Sequence, residues 1–499
     1  MDSLISLADG FVQALSWQNL LFAFLGCLLG TLVGVLPGIG PVAGVALLIP
    51  LSFNLDPAAS IIMLAAIFYG SQYGGTITSV LLNTPGEASS AVTVIDGYQM
   101  TKMGRAGVAL TIAAIGSFIG GTLATVALVA LAEPLSSFGL AIGPPEFFAL
   151  VLLGLSLLVA LAGKSMVKAL ISGALGLLIA MVGIDPVVGA TRFTFGQVDL
   201  IDGVAFVAVI VGIFGLSEVM SYQGVEMTPG TGRKIHRLMP TRTDARRSAP
   251  AIARGTGIGF FTGVIPGMTA SVSSLLSYGA ERKFSKHRRE LGQGAIEGVA
   301  GPETANNAHA NASMIPLFTL GIPASPTIAV LMGAFLQHGL TPGPQLFVEE
   351  SQLAWTIIAS LFIGNVILLI LNVPLVRVWV QVLKIPYPLL SALILCFMVI
   401  GAYSINFSTF DILIMTAFGL VGLLFRHFEI PMAPLVLTMV LGPLMERSLR
   451  ESLLLAQGSA EIFVTRPITT VLLILAALIL LSPLFRFKKP ASLNEDVEV

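Results

Sequence analysis

The chain has 499 residues, of which 55% are hydrophobic and only 11% charged, and its mean hydropathy is +0.91. Soluble domains carry about 25% charged residues, so the composition excludes one and marks an integral membrane protein. A net charge of −1 gives no bulk field for nucleic acid. The two cysteines, Cys27 and Cys396, lie in apolar runs, which excludes a disulfide framework and leaves buried packing as their role.

The first residues, MDSLISLADG, lack a basic n-region, so no cleaved signal peptide is expected. The first break is Gly34-Val35-Leu36-Pro37-Gly38, set in apolar sequence. The same pattern returns as Gly263-Val264-Ile265-Pro266-Gly267. Paired breaks at equivalent points of two halves mark transporters built from repeats. A second pair of interrupted segments follows: Tyr69–Thr76 with Leu82–Glu87, then Ala300–Asn307 with Leu320–Ser325. Irregular backbone at membrane depth is tolerated only when buried in protein or lining a wet cavity.

Full-length spans are expected at 107–132, 145–163, 167–184 and 203–221. Their counterparts are 352–374, 386–405, 408–426 and 430–446, with a last span at 467–485. Basic loops stay in the cytoplasm. Lys102 and Arg105, Lys164 and Lys168, and the basic stretch 222–254 therefore lie inside. So do Arg377 and Lys384, Arg426, and Arg486, Lys488 and Lys489. The spans of the two halves then run in opposite senses, as in an inverted-topology repeat. Arg447, Arg450 and Arg466 fit this scheme poorly, since it places them outside.

Residues 255–280 carry basic flanks on both sides. Each arm around Pro266-Gly267 spans about 12 residues, or ~18 Å as helix, against a ~30 Å hydrocarbon core. The simplest solution is a re-entrant hairpin entering from the cytoplasm with Pro266 and Gly267 at its tip; a single kinked helix is the alternative. Pro37 and Gly38 would form the opposite tip. The expected fold is an all-α membrane protein of about 10–12 segments. Its units are 1–222, a basic cytoplasmic linker 223–254, a second repeat 255–455 and a C-terminal helix and tail 456–499.

With those segments in view, the chain resembles the large membrane subunit of the tripartite tricarboxylate transporters, the TctA family. The resemblance rests on GVLPGIGP (34–41), YGSQYGGTITSVLLNTPGE (69–87), DGYQM (96–100), GVIPGMTAS (263–271), GVAGPETANNAHANASMIPLFTLGIP (298–323) and LTPGP (340–344). It covers nearly the whole chain. It implies a multi-pass protein of the bacterial inner membrane that imports organic anions such as citrate on a sodium or proton gradient. It also implies two partners, a small membrane subunit of the TctB type and a periplasmic solute-binding protein of the TctC type. Family members often read Gly-x-Pro-Gly at the second break, whereas Ala324 follows Pro323 here.

Unwound carbonyls and polar side chains suit a small cation, and fresh helix N-termini suit a carboxylate. Asn83, Thr84, Pro85, Gly86, Gly321, Ile322, Pro323 and Ala324, with Asn306 and Asn307, are the candidate anion site. Ser71, Thr76, Glu303 and Asn311 are candidates for the coupling ion. Glu303 either carries a proton, meets a cation or caps the helix after Pro302. Glu87 and Asp96 have similar alternatives. Glu297 is expected at the cytoplasmic edge, and His309 is a proton relay or a satisfied polar group. Trp17, Trp355 and Trp379 read as interfacial anchors. No catalytic residue, cofactor or metal other than sodium is expected. Membrane lipid is a partner, nucleic acid is not, and a homodimer is allowed. An ion channel with carbonyl-lined loops is the rival reading. An enzyme is disfavoured, since neither a His-Glu-x-x-His motif nor a nucleophile elbow occurs.

Overall fold

Glycine stripes set the closest helix contacts. The computed structural model describes residues 2–36, 39–53, 55–161, 165–185, 188–221, 238–382 and 387–482. Among these the only strands are β1 (Gly183–Ile184) and β2 (Thr191–Arg192), paired antiparallel. The rest is helices and the turns and loops between them, and five described helices are long and apolar enough to cross a membrane. The chain is an all-α membrane bundle, as its hydropathy predicts.

The first half runs α1 (Asp2–Ala14), α2 (Trp17–Val35), α3 (Gly40–Ser52), α4 (Pro57–Leu82), α5 (Thr93–Lys102), α6 (Ala106–Ala141), α7 (Pro144–Leu161) and α8 (Met166–Ala180). It closes with α9 (Phe206–Ile210), which passes through a π-helical turn, Val211–Leu216, into α10 (Ser217–Ser221). The second half begins with α11 (Arg242–Val264), α12 (Ala270–Phe284), α13 (Glu297–Ala312), α14 (Met314–Leu320) and α15 (Pro326–Gln337). It continues with α16 (Pro344–Glu349), α17 (Ser351–Asn372), α18 (Val376–Val382), α19 (Tyr387–Asn406), α20 (Thr409–His427), α21 (Ala433–Leu455), α22 (Ile462–Thr465) and α23 (Pro467–Leu481). The 36-residue α6 is longer than the span read from hydropathy and has Pro134 within it.

Gly26, Gly30 and Gly34 of α2 lie against the main chain of α4 at Met63, Ile67 and Ser71. Gly255, Gly259 and Gly263 of α11 lie against the main chain of α13 at Gly301, Ala305 and His309. The two stripes share the sequence offset of the Gly-Val-x-Pro-Gly pair. In lipid no hydrophobic force drives helices together, so small residues that let backbones meet supply the packing. A Cβ at any of these six positions would run into the facing helix. The helices that follow end alike. Asn83 caps α4 at φ 60°, and Gly321 caps α14 at φ 68°, both left-handed. Asn and Gly are the residues that adopt this conformation readily.

The second Pro-Gly segment is a helical hairpin. Thr262 and Ser273 hydroxyls meet at 2.6 Å, and Arg254 Nη2 pairs with Glu281 Oε2 at 2.6 Å. Both pairs are symmetric about Gly267–Met268, which fixes α11 and α12 as antiparallel with Pro266 and Gly267 in the turn. Gly267 has φ 86°. Its N–H donates to Ala324 O at 2.9 Å, so the turn is pinned to the second break. The arms are unequal: α11 has 23 residues and starts at Arg242, inside the stretch read as linker, while α12 has 15. Asp244 caps the start of α11 and pairs with Arg105 at 2.5 Å. Burial alone would raise the Asp244 carboxyl; donors from Thr241 and Arg105 outweigh it and hold the group below its usual range. Pro37 and Gly38, the expected first tip, lie outside the described residues.

The later helices interlock across the halves. Gly176 of α8 faces Leu435 of α21, and Gly212 in the π-helical turn faces Met415 of α20. Two sequence expectations change here. Trp355 and Trp379 are 3% and 4% exposed, so they are core residues, and only Trp17, at 80%, stands at the surface. Trp379 Nε1 donates to Leu371 O. Cys27 is buried as expected, but Cys396 is exposed on α19. The arginines that fitted poorly have acidic partners. Arg450 pairs with Asp185 and Glu446, Arg466 with Glu146, and Arg447 with Glu451.

Candidate functional site

Polar side chains from both halves meet between α4 and α13. Gln72 and Thr76 lie one turn apart on α4, so their side chains share a face. Glu303 and Asn306 do the same on α13. Thr76 Oγ1 donates to Glu303 Oε2 at 2.5 Å, and Thr93 Oγ1 donates to Glu303 Oε1. One turn along, with its amide turned so that nitrogen rather than oxygen faces these acceptors, Gln72 donates to Glu87 Oε1 at 2.5 Å and to Asn306 Oδ1 at 2.6 Å. Asn306 Nδ2 reaches Glu87 Oε1 at 3.4 Å. All of these residues except Thr76 and Glu87 are 1% exposed or less, and those two are 4% and 7%.

The cluster continues along α13. Asn307 Nδ2 donates to Ser117 Oγ of α6 at 2.7 Å, and Ser117 Oγ donates to Glu303 O at 3.2 Å. Asn311 Nδ2 donates to Asn307 O, and Thr125 Oγ1 donates to Asn311 Oδ1. Asn307 Oδ1 and both polar atoms of Asn365 are buried without hydrogen-bond partners. A cavity of about 10 Å³ lies between α4, α6 and α17, lined by Tyr73, Thr76, Ser117 and Asn372 among others. That is room for about one water. Tyr73 Oη and Asn372 Oδ1 are also buried without partners.

Of the residues expected to bind ions, Thr76, Glu303 and Asn311 belong to this cluster. Ser71 instead donates to Phe68 O within its own helix. Of those expected to bind the anion, Asn306 and Asn307 are in it. Gly86 is buried beside it, next to Glu87 of the cluster, while Asn83, Thr84 and Pro85 are exposed at the first break. Gly321, Ile322, Pro323 and Ala324 are buried at the second break. They lie beside the 266–267 turn and α7, where Gly154 approaches Ile322. The described contacts join the first break, through the turn Ala88–Ser90, to α12 and α13, and the second break to the 266–267 turn of the same hairpin. The helix N-terminus expected after Pro85 is a short 3-10 turn, Ala88–Ser90. Of these two breaks, only the second opens directly onto a full helix N-terminus among the described residues, that of α15, capped by Ser325.

The remaining ionisable residues separate by role. Asp96 is a latch between halves: its Oδ1 accepts from the N–H groups of Gly292, Gly294 and Ala295, and its Oδ2 from Tyr278 Oη. His309 Nδ1 is hydrogen-bonded to Ser273, the satisfied-polar alternative. Glu297 is held by Arg247 and His287. Sequence reasoning passed over Gln72, Thr93, Ser117 and Thr125. The available signal was polar residues at one-turn spacing in apolar helices, such as Gln72/Thr76 and Ser117/Thr125.

The pattern of the Tripartite tricarboxylate transporter TctA family matches residues 20–437. An uncharacterized 52.8 kDa protein in the TAR-I ttuC' 3'region of Agrobacterium vitis is 48% identical over 500 residues, covering 99% of this chain and 100% of the relative. An uncharacterized protein in the TAR-II ttuC' 3'region of the same organism is 45% identical over 241 residues, covering 48% of this chain and 100% of that protein. No solved structure matches the chain. With a match across most of its length and the repeated breaks and polar cluster in place, the chain belongs to the tripartite tricarboxylate transporter TctA family.

Proposed function

We propose that this subunit translocates organic anions, tricarboxylates or related carboxylates, across a bacterial inner membrane as a secondary active importer. A sodium or proton gradient drives it. A TctC-type periplasmic solute-binding protein delivers the substrate, and a TctB-type small subunit accompanies it. The observation that carries this reading is the fully buried carboxylate–amide cluster at the junction of the repeated halves, in a chain of this transporter family. A structural bundle has no use for unpartnered amides such as Asn307 Oδ1 in its interior, where an unmet polar group costs about 1–3 kcal/mol.

The anion is clamped by Asn83, Thr84, Pro85 and Gly86 from the first break and Gly321, Ile322, Pro323 and Ala324 from the second, with Asn306 and Asn307. The positive end of α15 supports the carboxylate at the second break. Thr76, Glu303 and Asn311 serve the coupling ion. The halves are inverted repeats, a reading supported by the matched glycine stripes and caps and by the opposed charge map. Cross-half bonds at Asp96, Glu303 and Asn306 tie α4, α5, α12 and α13 together. These elements move as one body against a scaffold of α7, α8 and α19–α21, in elevator fashion.

Alanine substitution at Asn307 and, separately, at Asn83 tests the site. A lost hydrogen bond to a charged group is worth about 1.5–3 kcal/mol, so gradient-driven uptake should fall roughly tenfold or more at normal expression. Unchanged uptake in both variants would remove these residues from the site.

A further inference from the structure

Glu87 and Glu303 sit in adjoining layers of one closed cluster, and the identity of the coupling ion follows from what surrounds them; this inference rests on the importer reading above. The donors that reach the two carboxylates are Thr76, Thr93, Gln72 and Asn306, all neutral. The ionisable groups on the packed elements are already engaged. Asp96 holds Tyr278 and three N–H groups, Glu281 is paired with Arg254, Glu297 with Arg247 and His287, and His309 with Ser273. Two ionised carboxylates sharing an interior site without a counter-charge repel each other and are costly to desolvate. Their charge must be offset by a bound ion.

A hard metal cation takes oxygen ligands. Here the groups facing the carboxylates turn hydrogens toward them, and each Glu303 oxygen accepts one and keeps one lone pair, which suits a single O–H bond better than the six or more oxygens of a metal shell. A proton needs one oxygen and one acceptor, which the cluster has. We propose that Glu87 and Glu303 form a paired proton-binding site that carries the coupling proton alongside the carboxylate substrate. Loading forms one O–H bond at a carboxyl oxygen, and at Glu303 Oε1 the Thr93 hydroxyl turns from donor to acceptor. Unloading breaks that bond and hands the proton to water. The cavity beside Thr76, with the unpartnered Tyr73 Oη and Asn372 Oδ1 at its wall, has room for the one water that would accept it. It lies at the α6 end that carries Arg105, on the cytoplasmic side of the charge map.

The test uses the complete transporter in proteoliposomes, with its small subunit and receptor, labelled citrate or whichever carboxylate the wild type takes up, and a pH-sensitive dye inside. Without sodium, an inward proton gradient should drive accumulation and acidify the lumen in the wild type. Glu303→Gln and Glu87→Gln should each lose both signals yet still exchange internal for external substrate, and Glu303→Asp should recover part of the accumulation. A strict sodium requirement with no effect of the pH gradient would overturn the proposal, as would wild-type accumulation in both Gln variants. Loss of exchange together with accumulation would also overturn it, making the pair a substrate or folding element. If the wild type moves no carboxylate under either gradient, the importer reading itself fails, and the proton pair with it.

Discussion

Asp96 shows how a single carboxylate can hold two halves of a chain together. Its three backbone N–H donors and Tyr278 all belong to the second half. The sequence places Asp96 beside Glu87 as a cap or a functional group, because nothing local announces partners so far along the chain. Removing the acceptor leaves buried donors unmet at about 1–3 kcal/mol each. Asp96→Ala should therefore lower the melting temperature in detergent sharply, and Asp96→Asn less, since one oxygen remains. Equal stability to wild type would show that the latch carries no load. The pair Arg254–Glu281 gives a second case, with the Glu281 side chain fully buried and Arg254 31% exposed. Arg254→Ala strands a buried charge, a loss of about 3–5 kcal/mol when one partner of such a pair is removed. Adding Glu281→Gln to that variant should restore most of the thermal stability, and failure to do so would assign the loss to packing instead.

Helix pairing repeats between the halves because glycines at one-turn spacing admit a neighbouring backbone. Gly30→Leu and Gly259→Leu should each collapse the yield of folded protein, since both would drive a side chain into α4 or α13. Gly257→Leu is the control, because open space surrounds that position. The folded yields of the three variants decide the matter. Much of this level was legible. Pro85, Pro323 and the two Gly-Val-x-Pro-Gly segments located the interruptions, since Pro and Gly disturb helices by their own backbone chemistry. The hairpin at 266–267 was legible from flanking charge. The partnership of Gln72 with Glu87, or of Ser117 with Asn307, was not, because it depends on which helix faces which across the halves. Trp355 was misread for a related reason. An aromatic near the end of an apolar run looks the same whether lipid or protein covers it.

At the scale of the whole molecule, the proposed elevator divides the chain into two bodies rather than two halves, in keeping with the cross-half bonds and the interlocked α8–α21 and α9–α20 contacts. Engineered cross-links separate this from a rocking of one repeat against the other. A cysteine pair at Thr262 and Ser273 lies within the proposed mobile body and should leave uptake intact once bridged. A pair at Gly154 and Ile322, where a Cβ on residue 154 would stand 3.6 Å from Ile322 Cγ2, joins the body to α7 and should stop uptake until reduced. The opposite pattern would contradict an elevator. The central claim, that the chain is a gradient-coupled carboxylate importer, is tested most directly by accumulation in proteoliposomes holding the complete transporter and its receptor. The account predicts saturable, receptor-dependent uptake that concentrates a carboxylate above its external level while a sodium or proton gradient lasts. Uptake that only equilibrates, or current that passes without accumulation, would contradict it and return the chain to a channel.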